Sequence, residues 1–314
     1  MEMISTLDMS HDEWLKDRRK GLGGSDVATV LGLNKWRSPY QLWLDKTGQI
    51  DIELSDSEPA YWGNVLEEVV AREFQERTGK RVRRRNHVFV HRDYPFLRAN
   101  IDRDVVGENA ILECKTANAY LAKDWEGEEI PLAYICQVQH YMNVLNRDYA
   151  YIAVLIGGQK FLWKRIERDQ ELIDLITERL VHFWTANVEQ MIEPEIDGSE
   201  ATTNFIKTLT QEIDENEVTL SSEYDELIES QKQIKATIKD LKIESDKIDN
   251  QLKLIMKDRN ATVAITPRNI ITFKEQTRTS MNRKAVEERY PEIMEDESFY
   301  KKSKFRKMTI KEIG

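Results

Sequence analysis

Apolar positions along the chain follow two regimes. Up to about residue 200, short alternating or continuous apolar runs are interleaved with stripes spaced three and four apart; beyond it one heptad seam takes over. In the first regime, Trp14 to Arg19 predicts a short helix, and 26–31 a second with Ser25 as N-cap and Gly32 behind it. Ser38 to Lys46 predicts a helix with Pro39 in its first turn. Tyr61 to Thr78 predicts a longer one closed by Gly79, with Glu67 on the apolar stripe of Val70, Ala71 and Phe74. Val82 to His91 predicts a strand. Asn100 to Val106 and Ile111 to Lys115 predict a hairpin around Gly107-Glu108-Asn109. Leu132 to Leu145 predicts a helix that carries Gln137, Tyr141 and Val144 on the face of Ala133. Tyr149 to Ile156 and Lys160 to Ile166 predict a hairpin with a two-residue Gly157-Gly158 turn. An amphipathic helix over 171–189 and a linker at 193–198 close this part.

In the second regime, Leu220, Tyr224, Leu227, Gln231, Ile234, Ile238, Leu241, Ser245, Ile248, Leu252 and Ile255 alternate four and three apart. This is an a/d repeat over about five heptads, roughly 50 Å of helix, with Gln231 and Ser245 as the polar interruptions that fix register. A hairpin around Pro267-Arg268-Asn269, a helix over 282–290 and a basic strand over 305–310 follow. The expected division is therefore an α/β domain at 1–203, a coiled-coil segment at 204–258 and a small basic α+β segment at 259–314.

Charge changes the picture in one respect. The formal net charge is −10, and it divides into roughly −10 before residue 204, about −5 through residue 258 and about +5 after it. A nucleic-acid partner thus requires a local basic patch, such as Lys80-Arg81-Val82-Arg83-Arg84-Arg85, which also reads as an exposed strand entry. Cys114 and Cys136 lack CxxC spacing and read as reduced core thiols of a cytosolic protein. The N-terminus has no basic-then-apolar leader, and no apolar run is long enough for a bilayer.

The central hairpin holds the candidate chemistry. Strand alternation puts Ile111, Glu113 and Lys115 on one face and Leu112 and Cys114 on the other. Asp102 on the preceding strand converges with Glu113 and Lys115. Two carboxylates can hold a hard cation such as Mg²⁺, which activates water and polarises a phosphoryl oxygen. The lysine can orient the water or offset developing charge. The same residues alone also describe a solvated strand face with one salt bridge. On the apolar stripe Glu67 needs a metal or a basic partner, because an unpaired buried charge is costly; Glu67 at the stripe edge, with Glu68 solvated, is the competing reading. Gln137 and Tyr141 could address the site or a DNA backbone. The glycine turn before Ser25 opens a helix N-terminus suited to a phosphate, with Arg19 just upstream; Ser25 as a plain helix cap is the competing reading. His87 and His91, four apart on a strand, do not make a ligand pair.

These pieces, in order, are Gly21-Leu22-Gly23-Gly24-Ser25-Asp26, Trp62-Gly63 with Glu67, Ala99-Asn100-Ile101-Asp102, Leu112-Glu113-Cys114-Lys115-Thr116 and Gln137-Val138-Gln139-His140-Tyr141. Residues 12 to about 200 thereby resemble the YqaJ-type viral recombinases, relatives of lambda exonuclease in the PD-(D/E)XK nuclease superfamily. The resemblance implies a restriction-endonuclease-like core, a mixed central sheet flanked by helices; the coiled-coil α+β extension, read from the heptad pattern, lies beyond it. It implies a processive 5′→3′ exonuclease on linear double-stranded DNA that needs Mg²⁺ or Mn²⁺. Mononucleotides would be released, and a 3′ tail left for a RecT-like single-strand annealing protein, in the cytoplasm of a bacterial host and from a phage or prophage gene. Carried over by residue, Asp102, Glu113 and the Cys114 carbonyl hold metal, Glu67 supports a second metal or its water, Lys115 orients water and Gln137 backs the site. Ser25 and Arg19 would bind the 5′-phosphate; outside the resemblance, the helix face offers Tyr141, which also reads as a core aromatic, and the basic run offers Arg83, Arg84 and Arg85 as DNA contacts. Lambda exonuclease is a ring-shaped trimer, so a homo-oligomer is implied; its chain lacks the heptad tail.

Two other readings stay open: a repair or restriction endonuclease of the same superfamily, separable by linear against closed-circular substrate, and a non-catalytic scaffold. The intact Asp102, Glu113 and Lys115 argue against the scaffold.

Overall fold

The computed structural model describes residues 2–50, 58–210, 216–300, 308 and 310. The chain forms two compact units, Met1–Leu209 and Thr210–Gly314.

The first unit begins with β1 (Glu2–Ser5), α1 (His11–Arg18), α2 (Gly24–Val30), α3 (Pro39–Lys46) and α4 (Glu58–Thr78). Next come β2 (Val82–Arg84), β3 (His87–Val90), β4 (Arg98–Ala99), β5 (Arg103–Val105) and β6 (Ala110–Ala117). After a 3-10 turn at Ala119–Trp125 follow α5 (Leu132–Leu145), β7 (Tyr149–Ile156), β8 (Lys160–Glu167), α6 (Gln170–His182) and α7 (Glu200–Leu209). The central sheet runs β2-β5-β6-β7-β8. Its β6–β7 pair is parallel, bridged through α5, and its other pairs are antiparallel. Alternation along β6 sorts two cores. Ile111 joins Ile152, Val154, Val138 and Met142 on the α5 side; Leu112 and Cys114 join Val70, Ala71, Phe74 and Tyr151 on the α4 side. The sheet is thus covered on both faces, as its continuous apolar strands require.

Several local expectations shift. The strand expected over 82–91 breaks at Arg85-Asn86, because β2 pairs with β5 while β3 enters a separate β1-β3-β4 sheet. The second hairpin has a three-residue loop, since Ile156 pairs with Lys160; Gly157 and Gly158 both take positive φ. The helix expected over 171–189 is α-helical through His182 and then widens into a π-helical turn at Phe183–Val188. The segment at 193–198 does not end the unit, and the boundary expected at 203 falls inside α7. Ala201 and Thr202 are buried, and Phe205 packs edge-on against Tyr40 of α3 at 6.3 Å.

The second unit contains α8 (Glu223–Asp258), β9 (Val263–Ile265), β10 (Ile270–Thr272), α9 (Arg283–Arg289) and α10 (Pro291–Glu295). The heptad seam from Tyr224 to Ile255 lies on α8, 36 residues long, about 54 Å at the helical rise; Leu220 precedes it. Leu227, Ile234, Ile238, Leu241 and Ile248 are exposed. The basic strand expected over 305–310 lies mostly outside the described residues.

Candidate active site

Asp102 sits on the bend before β5, not within a strand. The ladder ends there because the Cys114 N–H donates to Asp102 Oδ2 at 2.7 Å instead of to a carbonyl. That bond fixes the carboxylate across from Glu113, which β6 projects toward α5. Glu113 is 3% exposed. Lys115 Nζ stands 2.6 Å from Glu113 Oε1 and donates to Gln137 Oε1 at 3.0 Å. Gln137 Nε2 donates to Glu113 Oε1 at 2.8 Å and to Tyr141 Oη at 3.0 Å. The i, i+4 spacing on α5 is what places Gln137 and Tyr141 in one file behind the acids.

Electrostatics follow from this packing. Burial, reinforced by the Glu113 charge, pushes the Asp102 carboxyl well above the usual range, against the pull of Lys115. Burial works against the Lys115 ammonium, but Glu113 and Asp102 outweigh it and raise its pKa. Burial, then Glu113, raises the Tyr141 phenol well above its ordinary value. Lys115 is therefore a cation and Tyr141 a neutral hydroxyl. The Cys114 thiol points to the α4 side, where burial and then Asp102 raise its pKa well above normal, so it is not a nucleophile.

A hard cation fits the acid pair. Glu113 Oε2 is buried without a hydrogen-bond partner, and it lies beside a second carboxylate whose ionisation it opposes. A divalent ion satisfies both. Among the described residues, no three His, Cys, Asp or Glu groups are arranged to close on one ion. Glu67 is engaged elsewhere: its Oε1 accepts from Arg84 Nη2 at 2.5 Å and from Arg103 Nη1.

The phosphate-pocket expectation divides. Ser25 is not the N-cap of α2; Gly23 is, and the Asp26 carboxylate accepts from its N–H at 3.0 Å. Arg19 turns away to Asp45 and the Ile50 carbonyl. Arg18, not Arg19, meets Ser25, with Nη2 to Oγ at 3.1 Å, and its guanidinium lies over Trp14. Sequence alone could not separate the adjacent arginines, because the choice depends on where α1 ends. A buried ion network supports the turn. Lys46 Nζ is 2.8 Å from Asp26 Oδ2, Arg37 is 3.3 Å from Oδ1, and Lys46 also donates to the Arg18 carbonyl at 2.7 Å. Burial opposes the Asp26 charge, yet Lys46, Arg37 and Arg18 hold its carboxyl well below the usual range. The sequence signal for it was an acid three residues after the glycine.

Arg18, Ser25, Asp26, Asp102, Glu113, Gln137 and Tyr141 line one cavity of about 300 Å³. The arginine run is not brought into it. Arg83 and Arg85 lie 3.8 and 3.5 Å from Asp104, which Arg147 also grips at 2.7 Å, and Arg84 holds Glu67. Cys114 and Cys136 are both buried and unpaired, and among the described residues no helix is long and apolar enough to cross a membrane.

A mixed sheet between helical layers, with an acid, a Glu-Cys-Lys strand and a supporting helical acid and glutamine, defines a PD-(D/E)XK-type α/β core. Comparison with known proteins narrows the class. Residues 13–148 match the YqaJ-like viral recombinase domain, and over 310 residues the chain is 45% identical to protein YqaJ of Bacillus subtilis (strain 168), covering 98% of this chain and 96% of that one. The chain belongs to the YqaJ-like viral recombinase family, and its likeness to that relative includes the second unit. The fold also resembles the crystal structure of an alkaline exonuclease, LHK-Exo, from Laribacter hongkongensis, at 22% identity and TM-score 0.50 over 58% of this chain and 94% of that one. LHK-Exo in complex with dAMP matches at 24% identity, with the same TM-score and coverage.

Proposed function

We propose that this chain is a divalent-cation-dependent exonuclease that resects linear duplex DNA 5′→3′, releasing mononucleotides and leaving 3′ tails for a single-strand annealing protein. The observation that carries the reading is the shared cavity: the acid pair and the Arg18–Ser25 pair open into one space. A terminal phosphate held by the second pair would sit beside the chemistry performed at the first, which is the geometry of a nuclease that starts from an end. The alkaline exonuclease with the matching fold was also crystallised with dAMP, a mononucleotide.

Asp102 and Glu113 would hold Mg²⁺ or Mn²⁺, with the Cys114 carbonyl adjoining, and Glu67 would serve a second ion once it leaves Arg84. The ion would supply Lewis-acid polarisation of the scissile phosphoryl group. Lys115, kept cationic by Glu113 and Asp102, would hold the attacking water and offset negative charge as it develops. Gln137 locks both Glu113 and Lys115, so neither needs to reorganise during reaction. The exposed α8 seam supports assembly, with further copies or with the annealing protein, because that much apolar helix surface is unfavourable in water.

The test compares 5′-phosphorylated linear duplex, 5′-hydroxyl duplex and covalently closed circles, each with Mg²⁺ and with EDTA. Fastest loss of the phosphorylated linear form, intact circles and full EDTA inhibition are expected. Equal cleavage of closed circles would make the protein an endonuclease; no cation-dependent cleavage would leave the scaffold reading.

A further inference from the structure

Glu67 is the third acid that the cation chemistry calls for, yet it is engaged elsewhere. Its Oε1 lies between two guanidinium groups, Arg84 on β2 and Arg103 on β5. These arginines are direct cross-strand partners in the β2–β5 ladder. Like charges facing each other across a ladder destabilise it, and the Glu67 carboxylate between them removes that penalty. The two arginines differ in freedom. The Arg103 side chain is 3% exposed and anchored twice more, with Nη1 to the Asp102 carbonyl at 2.7 Å and Nη2 to Glu68 Oε2 at 2.7 Å. The Arg84 side chain is 52% exposed on the edge strand. Arg103 Nη1 touches both Glu67 and the Asp102 backbone, so Glu67 is one bonded group away from the acid pair.

We infer that Arg84 is a positioning residue for Glu67: a DNA backbone phosphate that takes the Arg84 guanidinium releases Glu67 to turn, on Arg103, toward the Asp102–Glu113 pair. An anion exchange of this kind frees Glu67 without leaving the Arg84 guanidinium bare opposite Arg103, which Glu68 continues to hold. Phosphate suits the exchange because it accepts the same bidentate arginine geometry as carboxylate. The consequence is ordered assembly: a first cation binds Asp102 and Glu113 in the free protein, and a second binds well only once DNA is present. This rests on the nuclease reading above.

The experiment counts Mn²⁺ by electron paramagnetic resonance on the full-length chain, without DNA. The unsubstituted protein should bind one Mn²⁺ tightly and a second weakly. Arg84→Met should tighten the second site about threefold to tenfold, the range expected for loss of one partly exposed charge-assisted ion pair. Arg83→Met removes the same charge from the same strand but pairs with Asp104, and should leave the second site unchanged. In a Lys115→Ala background, where duplex is not consumed, a short duplex should tighten the second site, measured against a duplex-only blank. It should add nothing to Lys115→Ala/Arg84→Met. Arg84→Gln, read alongside, guards against a folding defect, which circular dichroism monitors. If Arg84→Met and Arg84→Gln match the unsubstituted protein while one Mn²⁺ still binds and is lost in Asp102→Asn, the positioning role is wrong and the nuclease reading stands. If no Mn²⁺ sensitive to Asp102→Asn binds at all, both fall.

Discussion

Gly24→Ala should unseat the active-site glutamine from a distance of one helix. Gly24 is the first residue of α2, where α2 crosses α5. A Cβ there would lie 2.3, 2.4 and 2.6 Å from Cε1, Cζ and Oη of Tyr141, about 1 Å inside ordinary contact. The ring is 5% exposed and its hydroxyl is held by Gln137, so it has no vacant rotamer nearby. Overpacking of this kind costs about 1–3 kcal/mol, plus about 1 kcal/mol for a hydrogen bond lost from a buried group. Replacing glycine in a helix returns about 0.5–1 kcal/mol. The net is a loss of about 2 kcal/mol, or a fall in Tm of about 4–8 °C for a domain of this size. All seven tryptophans lie before residue 209, so tryptophan fluorescence reports unfolding of the first unit alone. Tyr141→Leu should rescue most of the loss, because it removes the colliding atoms; Tyr141→Phe should rescue little, because Cε1 and Cζ remain. A Gly24→Ala protein as stable as the parent, or equal rescue by both partners, would refute the packing argument. Cation-dependent cleavage should fall with the lost Tyr141–Gln137 bond and recover less than stability does in the double variant, which lacks the hydroxyl.

The Asp102 carboxyl is raised, so the cation-free protein loses stability as pH climbs from about 3.9 through the raised value. Mn²⁺ affinity should rise over the same window, since the ion takes the ionised form; thermal melts with and without Mn²⁺ that keep the same pH profile in Asp102→Asn would contradict this. His140 behaves oppositely. Burial lowers its pKa from 6.5 to about 4, so stability is complete above 6.5 and falls by about 3 kcal/mol as pH drops to 4; His140→Gln should flatten urea-derived stability over that interval, and an unchanged slope would exclude His140 as the cause. Arg18→Ala should reduce the rate preference for 5′-phosphorylated over 5′-hydroxyl ends about tenfold or more, from loss of a charged hydrogen bond. Arg19→Ala, which breaks contacts to Asp45 and Ile50, should lower stability and leave that preference in place; the reverse pattern would return Arg19 to the pocket.

Much of this site was legible because its signals are periodic. Alternation on β6 alone assigned Glu113 and Lys115 to one face and Cys114 to the other, and the two buried cores confirm the sorting. The i, i+4 relation of Gln137 and Tyr141 likewise needed only a helix. What was not legible depends on where elements stop. Asp102 reads as strand because Ile101, Val105 and Val106 around it are β-branched, but the ladder ends there, where its own side chain captures the Cys114 amide. Arg18 and Arg19 are adjacent in sequence, and nothing in composition says which one the last turn of α1 directs at Ser25. The seam of α8 was visible as an uninterrupted a/d repeat, but a repeat states that a surface must be covered without naming its cover.

The basic run 83–85 teaches a related lesson about charge. In sequence it is a patch of three cations in an acidic chain, and the direct inference is a DNA-facing surface. In the fold each arginine stands against a carboxylate of the same unit, Arg84 at Glu67 and Arg83 and Arg85 at Asp104. Alternation makes this unavoidable. Arg83 faces Asp104 and Arg84 faces Arg103 across the β2–β5 ladder, so consecutive arginines serve opposite faces of the sheet and cannot form one continuous patch. Their value to a polyanion then differs from one cluster to the other. Asp104 is shared by Arg83, Arg85 and Arg147, so that cluster keeps a net excess of two cations around one buried acid. Glu67 is shared by Arg84 and the buried Arg103, whose Nη2 is also held by Glu68, so that cluster is balanced and has no excess to offer. The Asp104 cluster can accept a phosphate without releasing anything; the Glu67 cluster can accept one only by letting its carboxylate go. That difference, set by which face each residue occupies, is why Arg84 rather than its neighbours is the arginine whose exchange would free Glu67.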